Sequence, residues 1–445
     1  MTKTPPHGFL HWVMPAMLGM VALSALMSGR DLSQTFVELM SAGEQARGPV
    51  VVWAQRLVSI LLVAAAAERV INHVAQHRHL PSPALAIVFV FYWMGTVATP
   101  ALLGSHPLLS HEYLYTLVIG FAAVLVTGAE VDRILSASRT ALFAFILAGV
   151  LLIPVMPTMV LDQSYAQGLM PGVPRFGGLA PHAVGMAMFA QAFLLLLWAR
   201  PFQRNWLNLL AWVMGLAALF LAQSKTAWIA FLLCALCMAL VRHGSRMWRR
   251  MSDPRNGAMG IFALLIVLVA MAALLGWIVV GDVDAQWSNF ADTAQGAQLI
   301  SMTGRDQIWA VATEEWRASP LFGYGPGLWD ADFRAAIGMP HATSAHNQFM
   351  DTLARAGSVG AAALVVYSLL LLVMSLRYAK ASGGLSLALF VALALRSISE
   401  VPMLLQGYGT ELFLHLLLLV TLAAAASSHA HVQLARSPYA WGATS

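Results

Sequence analysis

Apolar runs long enough to cross a lipid bilayer follow one another along most of the chain, and they decide what it can fold into. SVGAAALVVYSLLLLVM, at 358–374, is one of them. A helix needs about 20 consecutive apolar residues to cross the hydrocarbon. On that measure about twelve spans are expected, at 9–27, 50–68, 83–104, 111–128, 139–158, 181–198, 206–222, 226–241, 258–280, 357–376, 385–402 and 410–427. Several contain Pro or Gly, which membrane helices tolerate. Length alone, 445 residues, would permit two or three soluble domains. Composition excludes that: 10% of residues are charged, where soluble chains carry about 25%, and the mean hydropathy is +0.72. The expectation is an all-α polytopic membrane protein, one integral membrane domain over 1–445. Residues 281–356 make its one long polar segment, a large loop between spans nine and ten that packs on the spans as a lid.

Charge orients the chain. If Lys3 lies inside, the inside segments collect fifteen of the 25 basic residues against four acidic ones, Glu68, Glu130, Asp132 and Asp253. The positive-inside rule then places both termini in the cytoplasm. VRHGSRMWRRMSDPR, at 241–255, reads as a topology anchor, not a nucleic-acid patch. The first apolar run resembles a signal peptide, but its length and lack of a clean A-x-A site favour an uncleaved first span. DLSQTFVELMSAGEQ, at 31–45, has the pattern of an amphipathic helix on the membrane surface. Cys234 and Cys237 share one face of a membrane helix with no other Cys in the chain, so packing is the simplest role for them.

The opposite face is poor in positive charge, so each cation there needs a reason. Arg175 stands in PRFGG, Lys225 in SKTAW and Arg305 in TGRDQIW, while Arg355 and Arg396 flank later spans. Cations at a membrane edge often snorkel. Arg175 and Arg305 each lie close to Gly, however, where backbone approaches a ligand closely. Guanidinium groups match phosphate oxygens in pairs, and Lys supplies a point charge. A lipid with a pyrophosphate head would meet these groups at this depth, its tail running between spans.

SAHNQFMDTLARAG, at 344–357, places chemistry at the mouth of span ten. Ser344 is the expected N-cap, and Asn347, Asp351 and Arg355 recur at helical spacing on one face. His346 opens that helix beside them. A neutral imidazole held there can take a proton from a hydroxyl near neutral pH; a structural histidine is the alternative.

The ordered set PRFGG, SKTAW, TGRDQIW, PLFGYGPG and HNQFMDTLARAG resembles the O-antigen ligase family, which includes the O-antigen polymerases and protein O-oligosaccharyltransferases. The resemblance is closest over about 170–376. It implies a GT-C-like glycosyltransferase of the bacterial inner membrane with its active site at the periplasmic face. The donor would be O-antigen linked to undecaprenyl pyrophosphate, and the acceptor a sugar hydroxyl of lipid A–core. Membrane lipids would be the only other partners, with no cofactor, no metal and no nucleic acid. Carried onto this sequence, His346 matches the family's essential histidine, and Arg175 and Arg305 match its pyrophosphate-binding arginines. Lys225 stands where relatives commonly carry Arg; it keeps the charge but loses the bidentate fork.

The mechanism then expected is a single inverting displacement. His346 acts as base, Arg175, Lys225 and Arg305 hold the pyrophosphate, and Asn347 or Asp351 orients the imidazole, with Arg355 on the same face. Asp282 and Asp284, and Asp330 and Asp332, have a spacing that Mg²⁺ would accept, but acidic pairs in polar loops are usually just solvated. Glu314–Arg317 is expected within a loop helix, and Trp309, Trp316, Tyr324 and Trp329 as interfacial anchors or sugar platforms. PLFGYGPG is a turn, either a hinge or a simple connector. The rivals are a polymerase or protein glycosyltransferase with the same donor, and a lipid transporter. A transporter would carry ionisable residues near the midplane, where Arg56 in span two is the main candidate.

Overall fold

The computed structural model describes residues 8–33, 49–77, 79–163, 170, 172–251, 305–407 and 410–436. Its helices are α1 (Leu10–Met27), α2 (Pro49–Ala75), α3 (Pro83–Trp93), α4 (Glu112–Val124), α5 (Val131–Leu151), α6 (Ala183–Ala199), α7 (Asn205–Leu221), α8 (Lys225–Met251), α9 (Arg305–Ala318), α10 (Ala331–Ala336), α11 (Gln348–Arg377), α12 (Leu385–Ser399) and α13 (Leu412–Arg436). Strands β1 (Leu161–Asp162) and β2 (Arg175–Phe176) pair antiparallel, with Asp162 opposite Arg175.

Helices stand at eleven of the twelve expected spans; the ninth, 258–280, lies outside the described residues, as does the polar stretch 281–304 with Asp282 and Asp284. Most of the amphipathic stretch 31–45 lies outside them too. Among the described residues seven helices are long and apolar enough to cross a membrane, and four more, α4, α6, α7 and α12, are apolar but shorter. This is a multi-pass helical architecture.

The core sits around α6. From Gly185 to Leu197 every residue is buried, Gln191 included. A helix apolar on all sides is stable only when surrounded, and α6 packs against α5, α7, α8 and α12. The outward faces of other helices carry the reverse pattern. Leu57, Ile60 and Leu61 on α2, Leu232 and Leu236 on α8, and Leu369 and Val373 on α11 are exposed. Lipid is the solvent that accepts such surfaces. Cys234 is buried in the α8–α12 contact, where its thiol donates to the Ala388 carbonyl at 3.0 Å.

Two irregularities shape the end of the bundle that carries His346. The first follows Trp93, where α3 widens into a π-helical turn, Met94–Ala98, before continuing as Thr99–Leu103. Pro100 has no N–H, so the Thr96 carbonyl lacks its helical donor; the Gln406 amide reaches it at 3.5 Å. The second is Gly357, inside α11, with φ 63° and ψ −163°. A Cβ there would lie 2.3 Å from the Leu321 carbonyl oxygen. The broken helix turns its free N–H groups onto PLFGYGPG: Ser358 donates to Pro320 at 2.8 Å and Val359 to Leu321 at 3.2 Å. In return Tyr324 and Gly325 donate to the Ala354 and Arg355 carbonyls, each at 2.9 Å. The far edge of the same turn accepts from Ser105 and His106. PLFGYGPG is therefore a backbone clamp on the α11 kink.

Three expectations are corrected. Asn347, not Ser344, caps α11, accepting from the Met350 N–H at 3.0 Å. The helix starts before Gly357 and leads through it into span ten, as the sequence suggested, with a kink at that glycine. Arg56 is exposed and lies over the Trp53 ring, 5.2 Å from its centroid, so it is not a charge buried between helices. Trp329 is buried against Phe333 in a small cluster with Ile308, Leu328 and Ala345, which rules out anchor or sugar-platform roles for it.

Candidate active site

His346 sits between the loop clamp and α11, in the left-handed backbone region at φ 47°. Few residues without glycine's freedom adopt that conformation, and His is among the more tolerant. Its N–H donates to the Ser344 hydroxyl at 3.2 Å, which holds the turn. The side chain is half-buried, and its Nδ1 lies 3.2 Å from Oε2 of Glu400, the residue that follows α12.

Glu400 lies in a cluster of charge. The Arg396 guanidinium, one turn earlier on α12, donates through Nε and Nη2 to the two oxygens of the Glu411 carboxylate. Burial pushes the Glu400 carboxyl up, but the His346 hydrogen bond and the charges of Arg396, His346 and His182 outweigh it, and the group titrates below the usual carboxylate range. His182 caps α6, accepting from the Gly185 N–H at 3.2 Å. Its imidazole titrates below the usual value because burial dominates; Glu400 and Glu411 pull the other way, and Arg396 and Arg175 repel the proton.

The other polar residues of the motif bond elsewhere. Asn347 donates to the Ile398 carbonyl at 3.2 Å. Asp351, fully buried, accepts from the Ala345 N–H at 3.0 Å and from Arg355 Nε at 2.9 Å. Arg355 continues to the Pro326 carbonyl at 2.7 Å and to Gln406 at 3.2 Å. Asp351 and Arg355 thus share a face as expected, and they tie the residue before His346 to the PLFGYGPG clamp. The imidazole's own partner comes from α12, not from Asn347 or Asp351. Sequence reading does not single out Glu400. The available signal was an acidic residue beside a span end in a chain with only 20 acidic residues.

The three expected phosphate ligands approach from separate elements. Arg175, on β2, donates through Nε to the Ala222 carbonyl at 3.1 Å, and Gln223 returns a bond to the Val173 carbonyl at 2.8 Å. These bonds join PRFGG to the turn that opens α8, where Lys225 is exposed. Arg305 opens α9, one turn before Trp309, whose indole donates to the Ala345 carbonyl at 2.9 Å. Residues four apart share a helix face, so Arg305 lies on the side of α9 turned toward the His346 loop. Lys225 and His346 share no hydrogen bond or ion pair among the described residues. Asp330 caps α10 through the Phe333 N–H at 2.8 Å, and Asp332 is exposed.

Beside this site an apolar cleft of about 510 Å³ opens between α1 and α2. Met17, Val21, Leu62 and Phe189 line it, and Arg30, Pro181 and Thr410 stand at its polar edge. Pro181 and Thr410 directly precede or follow the clustered charges, being neighbours of His182 and Glu411. Arg30 donates to the Gly178 and Ala180 carbonyls, and Leu179 and Pro181, just after PRFGG, form one wall.

Residues 209–365 match the family model described as O-antigen ligase. The matched segment contains Lys225, Arg305 and His346 and leaves out Arg175 and Glu400. No curated protein matches the chain.

Proposed function

We propose that this chain, whose residues 209–365 match the O-antigen ligase family model, is a ligase: it moves O-antigen glycan from undecaprenyl pyrophosphate to a sugar hydroxyl of lipid A–core. The observation that carries this reading is that the matched segment holds His346, Arg305 and Lys225 at one end of a helical bundle. That end is the periplasmic face of the inner membrane, with twelve spans and both termini cytoplasmic.

In this reading the donor pyrophosphate lies among Arg175, Lys225 and Arg305, and its prenyl tail enters the cleft between α1 and α2. The acceptor hydroxyl points at His346. As its oxygen attacks the anomeric carbon, the proton passes to the imidazole, a bond forms from acceptor oxygen to carbon, and the bond from that carbon to the pyrophosphate oxygen breaks. The anomeric centre inverts, and undecaprenyl pyrophosphate leaves with its new charge held by the cations. Such preorganised charge acts where charge develops in the transition state. Neither a metal nor a nucleotide sugar takes part.

The experiment is product analysis with purified protein in liposomes, supplied with lipid-linked glycan, with and without lipid A–core, in EDTA. Glycan on lipid A–core supports the ligase. Longer glycan on the donor, independent of lipid A–core, replaces it with a polymerase. Movement of intact donor across the bilayer without bond cleavage would make it a transporter.

A further inference from the structure

We propose that Glu400 is the positioning residue of the reaction: its carboxylate holds the His346 imidazole with Nδ1 protonated and Nε2 open to the acceptor hydroxyl. The inference rests on the reading of His346 as base and extends it to a residue from another helix, outside the matched family segment.

Nδ1 of His346 and Oε2 of Glu400 are 3.2 Å apart. An ionised carboxylate only accepts hydrogen bonds, so the imidazole nitrogen facing it carries the proton, and the other nitrogen keeps its lone pair. The surroundings keep Glu400 ionised. Three side chains bear on it, Arg396, His346 and His182, and all favour its charge; Glu411 nearby is paired with Arg396. His182, the second imidazole in the cluster, is engaged as the α6 cap: its Nδ1 accepts from the Gly185 N–H, so its neutral ring carries the proton on Nε2 and it does not compete for the role.

The backbone adds a second line. His346 is held at φ 47° by the Ser344 hydroxyl and by the Asp351–Ala345 bond on its N-terminal side. On its C-terminal side Asn347 is pinned to the Ile398 carbonyl, two residues before Glu400. The loop and the end of α12 are therefore joined twice, once through backbone and once through side chains. Left-handed conformations in non-glycine residues persist where surrounding structure over-determines them, and they cluster at working sites. Once proton transfer has begun, Glu400 faces an imidazolium, and the pair becomes an ion pair that lowers the barrier.

The test compares Glu400→Gln with wild type and with His346→Ala in the reconstituted transfer assay between about pH 5 and 8, with kcat normalised to folded protein. Glu400→Gln is expected to lower kcat by roughly 10–100-fold, as losing the group that orients a working histidine does, while leaving the donor KM unchanged. The acid limb of its pH–rate profile moves to lower pH, because protonated His346 loses the carboxylate that favours it. A merely structural role would change the folded fraction and leave kcat and the limb in place, and that result overturns the proposal. Should the variant not fold, ¹⁵N NMR of histidine-labelled wild type decides: a proton on Nδ1 of neutral His346 upholds the proposal, and one on Nε2 overturns it. An inactive His346→Ala beside a fully active Glu400→Gln removes only the role of Glu400. Full activity in His346→Ala removes the base as well.

Discussion

The buried and the exposed cations of the bundle are used differently. At the end away from His346, Arg69, Arg139, Arg200 and Arg242 are saturated by the chain itself, while Arg133 and Arg204 are exposed. Arg69 binds Glu130 at 2.6 Å and the Leu125 carbonyl at 2.8 Å. Arg139 binds the Arg200 and Pro201 carbonyls, Arg200 binds Asp132, and Arg242 binds the Gly383 and Trp198 carbonyls. Each closes a helix end or a turn whose carbonyls have lost their helical donors. At the His346 end Arg355 and Arg396 are saturated in the same way, by Asp351 and Glu411. Lys225, like Arg133 and Arg204 at the other end, is exposed and its side chain has no hydrogen bond or ion pair among the described residues. Arg305 is half-buried at a helix start with no such partner among them either. Under the proposed function, Lys225 and Arg305 are the cations open to the donor pyrophosphate.

That contrast predicts a separation of effects. The largest belongs to His346→Ala: transfer per folded molecule should fall by about 10²–10⁴-fold, the usual contribution of a general base. Next comes Arg69→Ala at the other end, which leaves Glu130 without its partner. It should cost about 3–5 kcal/mol of stability while kcat per folded molecule stays at wild type; thermal unfolding in detergent beside the transfer rate reads both. Arg305→Ala should do the reverse, keeping stability and losing a charged hydrogen bond to phosphate, about 1.5–3 kcal/mol, seen as a higher donor KM. Equal loss of stability in both variants would break the comparison. The smallest effect is expected of Lys225→Arg. It restores a bidentate group and should tighten competition by inorganic pyrophosphate without changing kcat.

Acid should also act on the two ends unequally. Glu400 titrates below its ordinary value in the folded protein, so its contribution to stability is present above the ordinary carboxylate pKa and is lost as pH falls through the lowered one. Glu400→Gln should therefore flatten the acid limb of the stability curve, measured by unfolding across that window.

The spans were legible because burial in lipid demands long apolar runs, and helices stand where those runs occur. So were the shared face of Asp351 and Arg355 and the polar helix around Glu314–Arg317, both products of local periodicity. What escaped is non-local. Glu400 is 54 residues from His346, and no spacing rule joins a residue after α12 to one before α11. Ser344 and Asn347 are equally good caps by type; the helix chose Asn347 because His346 turns the chain left-handed just before it. Arg56 looks buried in an apolar run, yet it faces outward over Trp53, and Trp329 looks like an interfacial anchor but fills a small core of its own. In both cases the side a residue faces depends on packing that composition does not encode.

The most direct measurement is single-turnover transfer with donor bound at saturation, made on wild type and His346→Ala, with donor binding measured on the same samples. The account predicts that the variant binds donor as tightly as wild type, because the cations are intact, and that its chemical step is slower by about 10²–10⁴-fold. A variant that binds donor and transfers glycan at the wild-type rate would contradict the assignment of His346 as the base, and with it the central claim that this end of the bundle is the catalytic one.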